Sequence, residues 1–271
     1  MERVMAQIPH ENAIAAEMYE AACRERGEAR DYLGMSGIGD PCARKLWLSF
    51  RGYDPLPLDG RAAMIFDLGS RVEEAVLHWL EAAGYRIEGQ QQDFSAHEGF
   101  FRGHCDGIIY GVTERAHILE IKSANDKKFQ AFKAKGIATV SPTYYAQVQC
   151  YMGFSGLERA LWVVMNKNTC EIYTERCHFN RDDFEALRKK ALDIICALDM
   201  PAKTEGMCEW CEQRGWCNGT GMQARKTCGT CAFLDMGLKP RCRRHDVELK
   251  RWGASCPDWM LCDPHCPDMP F

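Results

Sequence analysis

The chain has no apolar run approaching the roughly 18 residues that a membrane-spanning helix needs, so no membrane partner is expected. It contains no G-x-G-x-x-G run and no other flavin or dinucleotide fingerprint, which leaves nucleotide-dependent redox chemistry without a binding element. It also lacks a basic surplus. With 34 Lys and Arg against 38 Asp and Glu the net charge is −4, which excludes a protein that coats polyanions indiscriminately. Any contact with phosphate must therefore be local. The first thirty residues are charged and lack the apolar core of a secretion signal. They read as an amphipathic helix, and a cytoplasmic location in a bacterial or phage-infected cell is expected. Cysteine, by contrast, is abundant. Sixteen cysteines without a secretion signal suggest metal ligation in a reducing compartment rather than a disulfide framework.

A length of 271 residues holds one sizeable domain plus an appendage, and 46% hydrophobic with 27% charged residues is ordinary for a globular chain. The stretch 103–122, GHCDGIIYGVTERAHILEIK, is the centre of interest. Two apolar runs, His104–Tyr110 and Ala116–Lys122, flank polar Gly111–Arg115, the pattern of a hairpin. A turn centred on Thr113 sets Asp106 opposite Glu120. The period of two puts Glu120 and Lys122 on one face and Ile121 on the other. Two carboxylates across a ladder repel, unless a hard cation such as Mg²⁺ or Mn²⁺ sits between them. Lys122 would then hold a nucleophilic water or offset charge building on a phosphate.

Along the rest of the chain, Gly37, Gly39 and Pro41 predict a turn, with Cys42 at the start of a helix that opens with Arg44 and Lys45. Tyr53–Gly60 reads as a proline-rich loop. A helix is predicted over 61–83 from the spacing of Ile65, Leu68, Val72, Val76, Leu80 and Ala83. Gly69 within it costs about 1 kcal/mol relative to Ala, which suggests that a backbone or ligand approaches there. Glu73, one turn on, is a solvated acid or a metal ligand. Pro142 opens a helix on which Tyr144, Gln147 and Tyr151 share a face. A second hairpin is expected from Arg159–Asn166 and Cys170–Cys177, and Asn180 caps a further helix carrying Phe184, Leu187, Ala191, Ile194, Ile195 and Leu198. The sum is a mixed α/β core with helices packed on a central sheet. Two lysine- and arginine-rich runs, Lys122–Lys135 and Lys239–Arg251, are candidate phosphate contacts.

Nine of the cysteines lie between Cys208 and Cys266. Cys208, Cys211 and Cys217 need a fourth ligand, and Cys42 is the candidate in an N-terminal turn; four thiolates suit zinc or an iron–sulfur cluster. Cys228, Cys231, Cys242 and Cys256 form a second set, with His245, Cys262, His265 and Cys266 nearby. Fifty residues so poor in apolar periodicity need a metal to fold, with zinc expected ahead of a second iron–sulfur cluster. The remaining eight include Cys150 and Cys196, expected in the core.

Taken together, GIGDPCARKLW, Gly69–Glu73, GHCDG, Glu120–Lys122, Gln147–Tyr151 and C-x2-C-x5-C resemble the iron–sulfur-bearing RecB-like branch of the PD-(D/E)XK nuclease superfamily. That branch includes CRISPR-associated adaptation nucleases, AddB-type helicase–nucleases and phage exonucleases. The resemblance implies a restriction-endonuclease-like core at 1–220, closed by a [4Fe–4S] cluster on Cys42, Cys208, Cys211 and Cys217, with a small metal-bound appendage at 221–271. It makes Asp106, Glu120 and the Ile121 carbonyl ligands of Mg²⁺ or Mn²⁺, Lys122 the catalytic lysine, and Gln147 and Tyr151 groups lying against site and substrate. Many relatives carry a metal-binding His where Glu73 stands; this chain departs from that pattern. The expected activity is exonucleolytic cleavage of single- or double-stranded DNA in recombination, repair or phage DNA processing, with a recombination or single-strand-binding protein as partner. The alternatives are a catalytically silent binding module and a cluster-gated, redox-sensing DNA-binding protein. Arg241, Arg243 and Arg244 are the appendage's candidate DNA contacts.

Overall fold

The computed structural model describes residues 11–25, 30–54, 59–204, 208–209, 211–220, 223–237, 239–253 and 256–265. Residues 1–10, residues 55–58 of the stretch expected as a proline-rich loop, and Cys266 lie outside them. Helix α1 (Glu11–Arg24) leads to the short strand β1 (Leu33–Gly34) and helix α2 (Ala43–Arg51). Cys42 is the N-cap of α2, and Gly52 ends it in the left-handed region at φ 96°. Helix α3 (Gly60–Ala82) starts where the Asp59 side chain accepts from Ala62 N. Strands β2 (Arg86–Glu88), β3 (Gln92–Ala96), β4 (Phe101–Cys105), β5 (Gly107–Tyr110) and β6 (His117–Ala124) follow. Then come α4 (Asp126–Lys135), α5 (Ile137–Val140), α6 (Pro142–Ser155), β7 (Arg159–Asn166), β8 (Ile172–His178) and α7 (Arg181–Cys196). A single turn, α8 (Arg214–Cys217), precedes an appendage with the two-residue strands β9 (Leu234–Asp235), β10 (Arg241–Cys242) and β11 (Val247–Glu248).

The central sheet has the order β2-β5-β6-β7-β8, with β6 and β7 parallel and the other pairs antiparallel. Alternation assigns its two faces. Leu119, Ile121, Leu161 and Val163 meet Val72 and Val76 of α3, while Ile118, Ala160, Trp162 and Val164 join the larger core beneath α6 and α7. Each such apolar side chain contributes about 1.5–3 kcal/mol by leaving water. Two smaller sheets, β1-β4-β3 and β11-β10-β9, flank this layer.

Four expectations need correction. The run His104–Tyr110 is not one strand: it breaks at Asp106, because β4 pairs with β3 and β1 in one sheet and β5 pairs with β2 and β6 in another. The apolar stripe predicted on α3 is buried only in its second half, which overlies the central sheet. Val72 and Val76 are buried, whereas Ile65 and Leu68 are about half exposed, at 50% and 46%. Gly69 faces open space, where an added Cβ would meet nothing within 4 Å, so no backbone among the described residues approaches it. The second hairpin starts later than predicted, at Ile172, since Cys170 turns through φ 61°. Cys150 is fully buried and Cys196 half-buried.

The cysteine-rich appendage lies against α2. Trp252 packs on Phe50 and Phe100, with ring centroids 5.1 and 4.7 Å away, and its Nε1 donates to Phe50 O at 2.7 Å. Arg51, buried, donates to the carbonyls of Gly229 and, at 3.2 Å, Leu198. Tyr53 OH donates to Cys262 O at 2.9 Å. No described helix is long and apolar enough to cross a membrane.

Candidate active site

Gly107 pairs with Leu119 and Ile108 with Ile118, a register that sets Asp106 across from Glu120 about the turn at Thr113. Asp106 occupies the corner between two sheets. There its carboxylate accepts from the Ile121 amide at 2.6 Å, because the broken ladder leaves that N–H without a strand partner. Glu120 and Lys122 lie on the α6 side of β6, Glu120 only 1% exposed, and the Lys122 ammonium bonds one oxygen of Glu120.

The electrostatics follow from this burial. Glu120 is pushed up to about 8, chiefly by desolvation; Lys122 opposes the shift, and Asp106 and Glu73 add to it. Asp106 is raised by burial, offset by Lys122 and the Ile121 N–H. Burial works against the Lys122 charge, but Glu120 and Asp106 outweigh it and hold the ammonium protonated. Glu73, at the far side of the cluster, is raised by burial and then by Asp106, while its carboxylate accepts from Gln91 Nε2 at 2.8 Å. Gln91 was not legible as a site residue, since it lies in an undistinguished polar turn.

Helix α6 supplies the opposite wall. Gln147 Nε2 donates to Tyr151 OH at 3.0 Å, both side chains being buried. Tyr151 reaches this position because Gly103 has no side chain: a Cβ there would lie 2.7 Å from Tyr151 Cε1 and 2.8 Å from Met35 Cβ. Burial, then Glu120, keeps the Tyr151 hydroxyl protonated. Lys122 Nζ stands 5.2 Å from the Tyr144 ring centroid, and Lys128 Nζ donates to Tyr144 OH at 3.3 Å.

The donors suit a hard divalent cation. The second oxygen of Glu120 is buried without a hydrogen-bond partner among the described residues, a vacancy that a cation satisfies. Once a cation displaces the proton that burial keeps on Glu120, three carboxylates against one ammonium leave negative charge for it to neutralise. As placed, no three His, Cys, Asp or Glu side chains among the described residues stand in metal-binding geometry. Mg²⁺ typically takes one or two carboxylates and completes its shell with water and phosphate, so Asp106 and Glu120 fit that demand.

The structure gathers each cysteine set around one cavity. Cys42, Cys208, Cys211 and Cys217 line a space of about 110 Å³ beside Arg44 and Lys45, with Arg44 donating to Cys217 Sγ at 3.6 Å. Cys228, Cys231, Cys242 and Cys256 line another of about 80 Å³, where His245 Nε2 lies 3.4 Å from Cys256 Sγ. The thiol type fits zinc or iron, although the spacings as placed are not those of a closed site. Cys262 is turned to Tyr53 through its carbonyl, and His265 contacts Trp216 O. Arg241 and Arg244 are tied to Asp246 and Asp258 at 2.6 and 3.6 Å, and Arg243 to Ala232 O at 2.9 Å.

The geometry thus defines a class of site: paired buried carboxylates with an adjacent ammonium, on a mixed α/β core. Residues 47–158 match the family model described as the YqaJ-like viral recombinase domain. No curated protein sequence matches the chain. Among solved structures, SSO0001 aligns at 15% identity over 78% of this chain and 98% of its own, with a TM-score of 0.47. An alkaline exonuclease (LHK-Exo) from Laribacter hongkongensis aligns at 14% identity over 66% and 89%, TM-score 0.44. A phage-related exonuclease from Haemophilus somnus 129PT aligns at 14% identity over 45% and 64%, TM-score 0.35. Likeness at this level assigns neither fold nor activity to this chain.

Proposed function

We propose that the chain is a divalent-metal-dependent deoxyribonuclease on a PD-(D/E)XK core, degrading DNA from its ends in recombination or phage DNA processing. One observation carries the reading: Asp106, Glu120 and Lys122 meet in a buried corner between two sheets, with one Glu120 oxygen lacking a hydrogen-bond partner among the described residues. The recombinase-domain match supports it, because residues 47–158 contain Glu73, Asp106, Glu120, Lys122, Gln147 and Tyr151.

Asp106, Glu120, the Ile121 carbonyl and Glu73 would hold Mg²⁺ or Mn²⁺. The bound ion supplies polarisation of the scissile phosphate and a lowered pKa for the attacking water. Lys122, kept charged by its two carboxylates, orients that water or offsets charge building on the phosphate. Tyr151, braced by Gln147 and protonated, offers a hydroxyl beside Glu120. The finer reading follows the RecB-like branch: a [4Fe–4S] cluster on Cys42, Cys208, Cys211 and Cys217 closes a nuclease domain at 1–220. Zinc, or a second iron–sulfur cluster, then sits on Cys228, Cys231, Cys242 and Cys256 in an appendage at 221–271. The shared cavities support both.

The test is digestion of end-labelled linear single- and double-stranded DNA, beside closed circles, with Mg²⁺ or Mn²⁺. Linear substrates should shorten from their ends and circles survive. Lys122→Ala should lower kcat/KM by about 10²–10³-fold, the usual cost of removing one transition-state donor. Full activity in that variant refutes the mechanism, and efficient cutting of closed circles refutes exonuclease action.

A further inference from the structure

A groove of about 880 Å³ separates the exposed face of the β3–β4 ribbon from the cysteine-rich appendage. Its walls carry Arg102, Arg225, Lys250 and Arg251 against Asp31 and Asp93. Four cations against two acids make a local positive surplus on a chain whose net charge is −4. Arg102 is engaged by Asp93 at 3.1 Å and Arg225 by Asp54 at 3.3 Å. The nearby ion pairs of the appendage go to Lys239, Arg241 and Arg244. Among the described residues none is formed by Lys250 or Arg251, and both side chains are exposed.

The backbone beneath those two cations is fixed. The adjacent Trp252 is buried against Phe50 and Phe100, and Gly253 O accepts from Cys228 N at 3.2 Å. The groove also has a direct structural link to the candidate active site. Asp93 binds both Arg102 and His104, at 3.1 and 3.2 Å, so these two share a face of β4, whose next residue after Cys105 is Asp106. Arg102 stands four residues from Asp106, about 13 Å along a strand, or about two nucleotide steps, since neighbouring phosphates of a strand lie farther apart than the axial rise. The turn entering the same ribbon holds Gln91, which donates to Glu73.

We propose that this groove carries the sugar–phosphate backbone of the DNA a few nucleotides from the scissile phosphate, with Lys250 and Arg251 as its phosphate contacts. The inference deepens, and rests on, the nuclease reading above. The groove's aromatic residues, Phe100 and Trp252, are only 1% and 5% exposed, so neither ring is presented for base stacking. Contact is with phosphate and sugar through cations and the exposed Ser95 hydroxyl, which holds a strand without reading its sequence. Asp31 and Asp93 temper the attraction, so the strand can advance as its end is shortened.

The test uses the full chain, a 30-nucleotide single strand and the matching duplex. Binding is measured over a salt series without added divalent metal, and cleavage with Mg²⁺. In Lys250→Ala/Arg251→Ala the slope of log K against log[salt] should shrink by about 1.4 for the single strand or about 1.8 for the duplex. KM should rise while kcat holds, and the difference should vanish on dinucleotides, which are too short to reach the groove. Lys189→Ala, removing an exposed lysine paired with Asp193 on α7, is the charge control and should match wild type. The double variant's melting temperature should be unchanged, since both side chains are exposed. An unaltered salt slope and KM on the 30-mer overturn the groove assignment while leaving the nuclease reading standing. A wild-type chain that binds DNA but cleaves none overturns the nuclease reading, whatever the slopes are.

Discussion

Replacing Glu120 with Gln should make the metal-free protein more stable at alkaline pH while abolishing cleavage. In the fold the Glu120 carboxyl titrates at about 8, against an ordinary 4.5, because burial penalises its charge more than Lys122 rewards it. Between those two pH values the folded chain holds a proton that the unfolded chain has released, so stability falls as pH rises through the interval. At about 1.4 kcal/mol per pH unit the loss is on the order of 5 kcal/mol at most, a large share of the roughly 5–15 kcal/mol that holds a domain together. Gln mimics the protonated carboxyl and removes this term. Urea denaturation under reducing conditions, without added Mg²⁺ or Mn²⁺, should show wild type and Glu120→Gln alike at pH 5 and the variant ahead by several kcal/mol at pH 9. Adding Mg²⁺ should raise wild type at pH 9 and leave the variant unmoved, since a bound cation stabilises the folded state by mass action. Parallel pH profiles for the two proteins would refute the assignment of Glu120 as a carboxylate kept under strain for a cation.

Gly103→Ala places a methyl against Tyr151 and Met35 and should destabilise by about 1–3 kcal/mol, with a rise in KM as Tyr151 is displaced; thermal unfolding and steady-state kinetics measure both. Cys228→Ala, or removal of metal by a chelator, should release the appendage from α2, exposing Trp252 and shifting its emission to the red. Tryptophan fluorescence with metal analysis checks this, and an unshifted spectrum in a metal-depleted sample contradicts it.

The hairpin register could be read from two apolar runs and the turn at Thr113, because a period of two fixes which residues oppose one another once the turn is placed. The break at Asp106 could not. Alternation continues smoothly through Cys105 and Gly107, and only the divergence of two sheets, a tertiary fact, turns the chain there. Helix α3 was legible as a helix, but its exposed first half was not, since spacing marks an apolar face without saying how far the sheet beneath it extends. The groove was hidden for a related reason. Asp31, Arg102, Arg225 and Arg251 come from four distant segments, and nothing local in any of them announces the others.

Arg51 is a guanidinium sealed inside the protein whose hydrogen bonds, among the described residues, go to main-chain oxygens of Leu198 and Gly229, 147 and 178 positions away. It therefore acts as a latch closed only when three remote parts of the polypeptide have arrived. Docking of the last fifty residues is tied to completion of everything before them, and a product truncated at residue 220 would keep the latch with half its catch missing.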